Sequence, residues 1–268
     1  PDLPHNMACF SAVEVLSDEN SLLDSSFDAP NCMSLIPLFK SFTLPTIALA
    51  KFLYSAPTRY TAIYASHFNQ PYTFIYGGGT QHGEVTGNFC ADINGNGGGA
   101  RENRDGEHAV APCFGYMCDT GEQELIEEEL PVLRLVAQHL TKDRVGFGKY
   151  RGGLGYEQLI TSRDAGFWGF MTGGTGSLHP SAYGLFGGYA SPVYTLCKIR
   201  EVNVFETLKT DPHQFKFDLV ELMNEQAIPG AKYGTYDMGM TFEPVDEGEV
   251  YMICQGAGAG YGDVLERD

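Results

Sequence analysis

The sequence has few positive charges. Its 268 residues include 17 lysines and arginines against 34 aspartates and glutamates, which gives a formal net charge of −17 at pH 7. Nucleic acids and anionic membrane surfaces are bound through cationic patches. The composition therefore argues against both as partners, and it is typical of a chain with a solvated acidic surface.

A signal peptide and any apolar run long enough to span a bilayer are also missing from the sequence. The seven cysteines are odd in number and irregularly spaced, and no Cys-x-x-Cys pair occurs. This spacing does not provide a zinc site. We therefore expect reduced, mostly buried thiols in a cytoplasmic protein.

The two glycine-rich stretches that resemble phosphate-binding loops both miss the required pattern. In the C-terminal run GAGAGYG, Tyr261 or Asp263 stands where the third glycine of a dinucleotide loop is needed. In GFGKYRGG, Asp143 and Tyr150 stand where a P-loop needs glycine and serine or threonine. We therefore do not expect this chain alone to bind ATP through either loop.

Most of the chain consists of short apolar stretches separated by glycines. LGYEQLITS, GFWGFMT and GEVYMIC are rich in aromatic and β-branched residues and predict strands. Pro45 suits the first turn of a helix that ends near Tyr54, and 217–230 predicts a second, short helix. Residues 124–140 fit a helix by composition, but Pro131 interrupts them. The sequence predicts an α+β fold, a β-rich, glycine-punctuated single domain with few helices.

Residues 77–108 form a long glycine-rich polar segment. A loop of this length in a compact domain is either functional or disordered. Its mixture of charged and imidazole side chains favours function, and a glycine-rich backbone can approach a ligand closely. The candidate site residues are His82, Arg104, Asp105 and His108. The seven histidines of the chain show no metal-ligand spacing, so we expect no metal site among them.

Four stretches, in order, resemble the hydantoinase B/oxoprolinase family, which includes 5-oxoprolinases and ketone carboxylases. They are VEVLSDENSLLD (13–24), NGGGARENRDGEHAV (96–110), KYRGGLGYEQLI (149–160) and GEVYMICQGAGAGYGDVLERD (249–268). On this resemblance, residues 1–268 correspond to the C-terminal region of a longer subunit, as a fragment or a split subunit. The C-terminal glycines are then structural, because they let a strand end close against neighbouring backbone.

The resemblance also implies an activity. Within the family, DAGFWGFMTGGTGSLHPSAYGLFGGY (164–189) is more similar to the carboxylase branch than to the hydantoinase branch. We therefore expect part of a cytoplasmic ATP-dependent carboxylase complex that makes a 3-oxo acid from an acetone-type ketone and bicarbonate. The alternatives are an ATP-dependent hydantoinase or 5-oxoprolinase subunit, or a non-catalytic scaffold portion of such a complex.

The implied complex has three partners for this chain: the remainder of its own subunit, a hydantoinase-A-type ATP-binding subunit and a small third subunit. ATP and a divalent metal, Mn or Mg, are expected in the assembled complex. The family's metal ligands belong to the other half of the subunit, so we expect neither group to bind this chain alone.

The same resemblance suggests roles for two of the candidate residues. Arg104 would meet an oxygen of bicarbonate or phosphate with its guanidinium group. His108 would accept the proton that the ketone methyl group loses. The alternative is structural, with Arg104 and Asp105 pairing to fix the loop.

Overall fold

A computed structural model describes the chain at residues 11, 14–21, 23–29, 35–56, 63–66, 74–90, 96–109, 127–128, 132–140, 142–172, 180, 182–192, 196–214, 219–235, 241–254 and 256–267. Across these residues the fold is α+β, with two antiparallel sheets and few helices. The predicted fold class is therefore confirmed.

The first sheet has four strands in the order β2-β1-β5-β8. These are β1 (Phe74–Gly79), β2 (Val85–Cys90), β5 (Trp168–Thr172) and β8 (Glu243–Pro244). The hairpin of β1 and β2 overlaps the first part of the polar segment 77–108, which the sequence indicates as one long loop. Its tight turn, at residues 80–84, is closed by the amide of Thr80, which donates to the carbonyl of Glu84 (2.7 Å).

The second sheet has five strands in the order β3-β4-β9-β6-β7. These are β3 (Val132–Leu140), β4 (Tyr156–Ser162), β6 (Leu196–Arg200), β7 (Lys232–Thr235) and β9 (Val250–Cys254). The ambiguous segment after Pro131 is thus a strand. The strands predicted in LGYEQLITS, GFWGFMT and GEVYMIC are confirmed as β4, β5 and β9.

The main hydrophobic core joins the two sheets. Trp168 and Phe170 come from the first sheet, and Leu159, Tyr251 and Met252 come from the second. The rings of Phe170 and Tyr251 meet edge to face with their centroids 5.0 Å apart. Each large apolar side chain buried in this way contributes about 1.5–3 kcal/mol to folding.

Outside the sheets, the described ranges include the helices α1 (Leu35–Tyr54), α2 (Val204–Thr210) and α3 (Leu219–Glu225). The helix predicted to start at Pro45 begins at Leu35 and continues through the proline. The predicted start was wrong. A proline inside a helix removes one hydrogen bond and its ring crowds the preceding turn, but Pro45 is exposed and the helix continues through it. Helix α3 was correctly predicted.

A second, smaller core combines buried alanines with a few larger side chains, Ile63, Leu185 and Tyr261, and with closely packed backbone. Four segments meet in it, 96–100, 146–153, 184–189 and 256–262, and we call them the glycine layer. The amide of Gly258 donates to the carbonyl of Gly153 (2.9 Å), and the amide of Gly153 donates to the carbonyl of Gly98 (2.7 Å). A Cβ atom added at Gly258 would lie 1.8 Å from the oxygen of Gly98. The structural role predicted for the C-terminal glycines is therefore confirmed.

None of the helices in the described ranges combines the length and the hydrophobicity that crossing a bilayer requires.

Candidate functional site

Residues 101–109, which we call the charged loop, project from the glycine layer and are held at both ends by backbone hydrogen bonds. The amide of Glu102 donates to the carbonyl of Ile63 (3.2 Å). The amide of Gly106 donates to the carbonyl of Arg151 (2.9 Å). The amide of Ala109 donates to the carbonyl of Leu154 (2.8 Å). The charged side chains of this loop are therefore carried on a rigid support.

Asp105 anchors the charged loop to two other parts of the chain. Its Oδ1 accepts from the amide of Arg151 and from Nη1 of Arg267, both at 2.9 Å. Its Oδ2 accepts from Nε of Arg151 (3.2 Å) and from Nη2 of Arg267 (2.9 Å). The hydrogen bond from Arg267 is the main cause of a lowered pKa at Asp105, partly opposed by burial. With both oxygens committed, Asp105 fits the role of an anchor better than that of a base.

Arg104 lies beside this anchor and leaves most of its side chain in solvent. Its Nη2 donates to Oε1 of Glu107 (2.9 Å), and Nη2 of Arg101 lies 3.1 Å from the same oxygen. The side chain of Arg104 is 59% exposed. The suggested pairing of Arg104 with Asp105 is thus replaced by two separate ion pairs, and the Arg104 guanidinium remains accessible to a ligand.

A surface depression of about 340 Å³ lies against these residues. It is lined by Arg104, Asp105, Lys149, Tyr150, Glu266 and Arg267. Three cations therefore face two carboxylates, a local positive excess in a chain whose net charge is −17. Such a concavity favours a small anion over a cation.

His108 is part of the same loop and is held by one of its ring nitrogens. The amide of Leu154 donates to Nδ1 of His108 (2.9 Å), while the rest of the side chain is exposed. Because the carbonyl of Leu154 also accepts from Ala109, the ring is fixed relative to the glycine layer.

His82 lies elsewhere, in the turn between β1 and β2. Its Nε2 donates to the carbonyl of Glu128 (2.6 Å), and Nε2 of the neighbouring Gln81 donates to the same carbonyl (2.9 Å). The structure therefore brings Arg104, Asp105 and His108 together on the charged loop and places His82 against residues 127–128.

The sequence reasoning missed two residues that line the depression, Lys149 and Arg267, and it missed Arg151, which binds Asp105 beside it. All three lie in stretches that carried the family resemblance, KYRGG and YGDVLERD. The basic residues inside these motifs were the available signal, but only the fold shows that Arg151 and Arg267 converge on Asp105. Lys149 pairs with Glu266 instead (3.2 Å).

The described residues contain neither a cluster of metal ligands nor a phosphate cradle in the C-terminal glycine run. Among them, no three histidine, cysteine, aspartate or glutamate side chains lie close enough together to hold a metal ion. The amides of Gly258, Gly260 and Gly262 donate to the carbonyls of Gly153, Tyr189 and Leu185. Because these amides are committed to backbone acceptors, the C-terminal run cannot cradle a phosphate.

The described part of the chain contains one cysteine whose side chain is placed, Cys197, and it is a free, buried thiol. Burial raises the pKa of Cys197 to about 11, although nearby Arg144 opposes the shift. The thiol is therefore protonated at neutral pH and does not suit nucleophilic chemistry.

Sequence comparison identifies the family of this chain and two of its relatives. A family described as "Hydantoinase B/oxoprolinase" matches residues 1–264. The chain is 33% identical over 210 residues to the acetophenone carboxylase delta subunit of Aromatoleum aromaticum. It is 27% identical over 207 residues to the acetone carboxylase alpha subunit of Xanthobacter autotrophicus. These alignments cover 76% and 73% of this chain but only 30% and 26% of the two relatives.

Structure comparison shows the same fold in two larger proteins. A nucleotide-free structure of acetone carboxylase superposes with a TM-score of 0.70 at 24% identity, covering 86% of this chain and 30% of that one. The ATP-dependent caprolactamase of Pseudomonas jessenii superposes with a TM-score of 0.63 at 20% identity, covering 95% and 38%. At these identities the likeness concerns the fold alone.

Proposed function

Because the chain belongs to the hydantoinase B/oxoprolinase family, we propose that it is part of an ATP-dependent complex that carboxylates a ketone. The product is a 3-oxo acid, and its new carboxyl carbon comes from bicarbonate. The observation that carries this proposal is the 33% identity over 210 residues to a subunit of acetophenone carboxylase.

The depression beside the charged loop supports an anionic substrate. Bicarbonate and the carboxylate product are both small oxyanions, and the local excess of cations suits them. Arg104 is the cation best placed to bind such an anion, since its guanidinium fork matches two oxygens and most of its side chain is accessible. Asp105 serves this site indirectly, by holding the loop against Arg151 and Arg267.

The remaining chemistry is assigned to partners. The chain spans 30% and 26% of the length of the two curated relatives. We place the nucleotide on a hydantoinase-A-type subunit and the divalent metal on the remainder of the hydantoinase-B-type subunit, with a small third subunit completing a cytoplasmic complex. ATP and the metal would drive the reaction there, and the residues of this chain would bind and orient the anion.

A second candidate function is ATP-dependent opening of a cyclic amide, such as a lactam, a hydantoin or 5-oxoproline. The description of the matching family, hydantoinase B/oxoprolinase, supports this candidate. The two functions differ in their need for bicarbonate.

Phosphate release by the complete complex separates the two functions. ATP consumption is measured with acetone, acetophenone, caprolactam or hydantoin, each with and without bicarbonate. We expect turnover that requires both a ketone and bicarbonate. Turnover with a cyclic amide in the absence of bicarbonate would contradict the carboxylase proposal and support the second candidate.

Substitution of Arg104 tests its role in anion binding. We expect Arg104→Ala to raise the KM for bicarbonate roughly 10- to 100-fold, because a hydrogen bond to a charged group is lost. The matched control is Arg163→Ala, since Arg163 is also 59% exposed and pairs with its neighbour Asp164 (3.1 Å). Unchanged kinetics in Arg104→Ala would remove Arg104 from the site. Loss of carboxylation with continued ATP consumption would show instead that the loop guards the cavity.

A further inference from the structure

The hydrogen bond at Nδ1 fixes where the neutral ring of His108 carries its proton. An amide can only donate, so the nitrogen that accepts from Leu154 at 2.9 Å has a free lone pair and no hydrogen. A neutral imidazole carries one N–H, which must then be on Nε2. A doubly protonated ring would place two N–H groups face to face at this contact.

The other ring nitrogen is available to a ligand. The structure describes no partner for Nε2 of His108, and the side chain is exposed. Arg104, which lines the positive depression, belongs to the same charged loop. His108 does not line the depression itself. It is an exposed N–H donor, held through Nδ1, on the loop that also carries Arg104.

We propose, on the basis of the function proposed above, that His108 is a neutral hydrogen-bond donor to an oxyanion of the substrate, acting through Nε2–H. The acceptor is the oxygen that carries negative charge when the ketone becomes an enolate, or a carboxylate oxygen. No proton is transferred, because the N–H bond of Nε2 stays intact. The geometry therefore favours a role different from the proton acceptor that the sequence suggested, and another group must take the ketone proton.

Two amide side chains separate the two ring nitrogens in a variant series of the complete complex. Glutamine places an N–H donor near the position of Nε2 but cannot act as a base. Asparagine places an oxygen near the position of Nδ1, so it can accept from Leu154 but offers no donor at the outer position. The control is His213→Ala, which removes another exposed histidine that lies outside the charged loop.

We expect His108→Gln to retain turnover within about tenfold of the wild type. His108→Asn and His108→Ala should lose about 10²- to 10³-fold in kcat, the cost of removing one donor to a developing oxyanion. The pH profile of kcat/KM should keep its shape in His108→Gln. His108→Asn should assemble like the wild type, because its side-chain oxygen can still accept the hydrogen bond from the amide of Leu154.

Equal, large losses in all three variants, with a pH limb missing from His108→Gln, would overturn the donor role in favour of proton transfer. Activity near wild type in all three variants would remove His108 from the chemistry. A larger loss in His108→Gln than in His108→Asn would show that only the contact with Leu154 matters.

The wild-type substrate is established separately, by the phosphate-release assay. If the wild type turns over a cyclic amide instead of a ketone, the proposed function fails. The ratio of each variant to the wild type on that amide then still tests the donor role, because opening a cyclic amide also generates an oxyanion.

Discussion

Asp105 links two stretches that lie far apart in the sequence. Its partners are 46 and 162 residues away, at Arg151 and Arg267. The two guanidinium nitrogens of Arg267 bind the two carboxylate oxygens side by side, each at 2.9 Å. This bidentate geometry is the strongest form of ion pair, although its partial exposure reduces the energy. At the scale of single residues, this pair holds the charged loop to the C-terminal motif.

We predict that Asp105→Asn lowers the free energy of unfolding of the subunit by about 1 kcal/mol at neutral pH, because the charged hydrogen bonds to Arg151 and Arg267 are weakened. Hydrogen exchange of the 264–267 amides should speed up in this variant. Asp164→Asn is the matched control, because the exposed pair of Asp164 with Arg163 should contribute almost nothing.

The pH dependence of the same variant has a defined sign. The pKa of Asp105 in the folded chain lies below its ordinary value, chiefly because of the hydrogen bond from Arg267. Because the folded pKa is lower than the unfolded one, ionised Asp105 stabilises the folded state at pH values above the unfolded pKa. This stabilisation is lost as the pH falls through the folded pKa. Urea titrations of wild type and Asp105→Asn should therefore differ at pH 6 and converge only at a pH below the folded pKa, which itself lies below the unfolded pKa. A difference that persists at that lower pH would contradict the assigned cause.

The prediction of these residues from the sequence was partial. The charged loop could be recognised, because charges and imidazoles in a glycine-rich segment cannot be explained by burial. Its anchors could not, because Arg151 and Arg267 approach Asp105 only after the glycine layer has formed. His82 was grouped with the loop by proximity in sequence, but the β1–β2 hairpin carries it to residues 127–128.

At the scale of elements, strands were easier to predict than helices. The sequences of β4, β5 and β9 have β-branched and aromatic residues between glycines, and these stretches form strands in the folded chain as predicted. Helix α2, VFETLKT, was not predicted, because it begins with Val204 and Phe205, residue types that are favoured in strands. The cap decides the outcome, since Oδ1 of Asn203 accepts from the amides of Phe205 (3.0 Å) and Glu206 (3.3 Å).

The glycine layer is an element that neither helix nor strand rules describe. Its segments pack backbone against backbone, and a Cβ atom at Gly152 would lie 1.9 Å from the oxygen of Gly258. Real Cβ atoms do not come so close, so a side chain would have to push two segments apart.

We predict that Gly258→Ala destabilises the subunit by about 3 kcal/mol or more, because its Cβ would overlap the carbonyl of Gly98. Gly166→Ala is the control, since a Cβ there meets nothing within 4 Å. Its free energy of unfolding should stay within about 0.5 kcal/mol of the wild type. Chemical denaturation of the two purified variants provides the comparison. Equal free energies of unfolding would show that the glycine layer accommodates the added Cβ atom without loss of stability.

At the scale of the whole molecule, helix α1 carries more exposed apolar surface than a free surface helix should. Leu44, Leu49 and Phe52 are 61%, 58% and 70% exposed. Phe186 extends this surface, since its ring lies 4.4 Å from that of Tyr54. Apolar patches of this kind mark interaction surfaces. In the proposed complex, the remainder of the hydantoinase-B-type subunit would cover α1.

We predict that the isolated chain is oligomeric or poorly recovered, as measured by size-exclusion chromatography with light scattering. Phe52→Glu should make it more monodisperse and should weaken assembly of the complex. Val85→Glu, at an exposed valine of strand β2, should change neither property. A monodisperse, cooperatively melting monomer of the unmodified chain would show that α1 needs no cover.

In the proposed function, this chain belongs to a complex that forms a carbon–carbon bond. One experiment supplies the complete complex with ATP, a ketone and ¹³C-labelled bicarbonate and analyses the products by mass spectrometry. We expect a 3-oxo acid that carries the label in its carboxyl group and accumulates in proportion to the ATP consumed. ATP consumption with no labelled acid from any ketone, together with ring opening of a lactam or hydantoin, would contradict it.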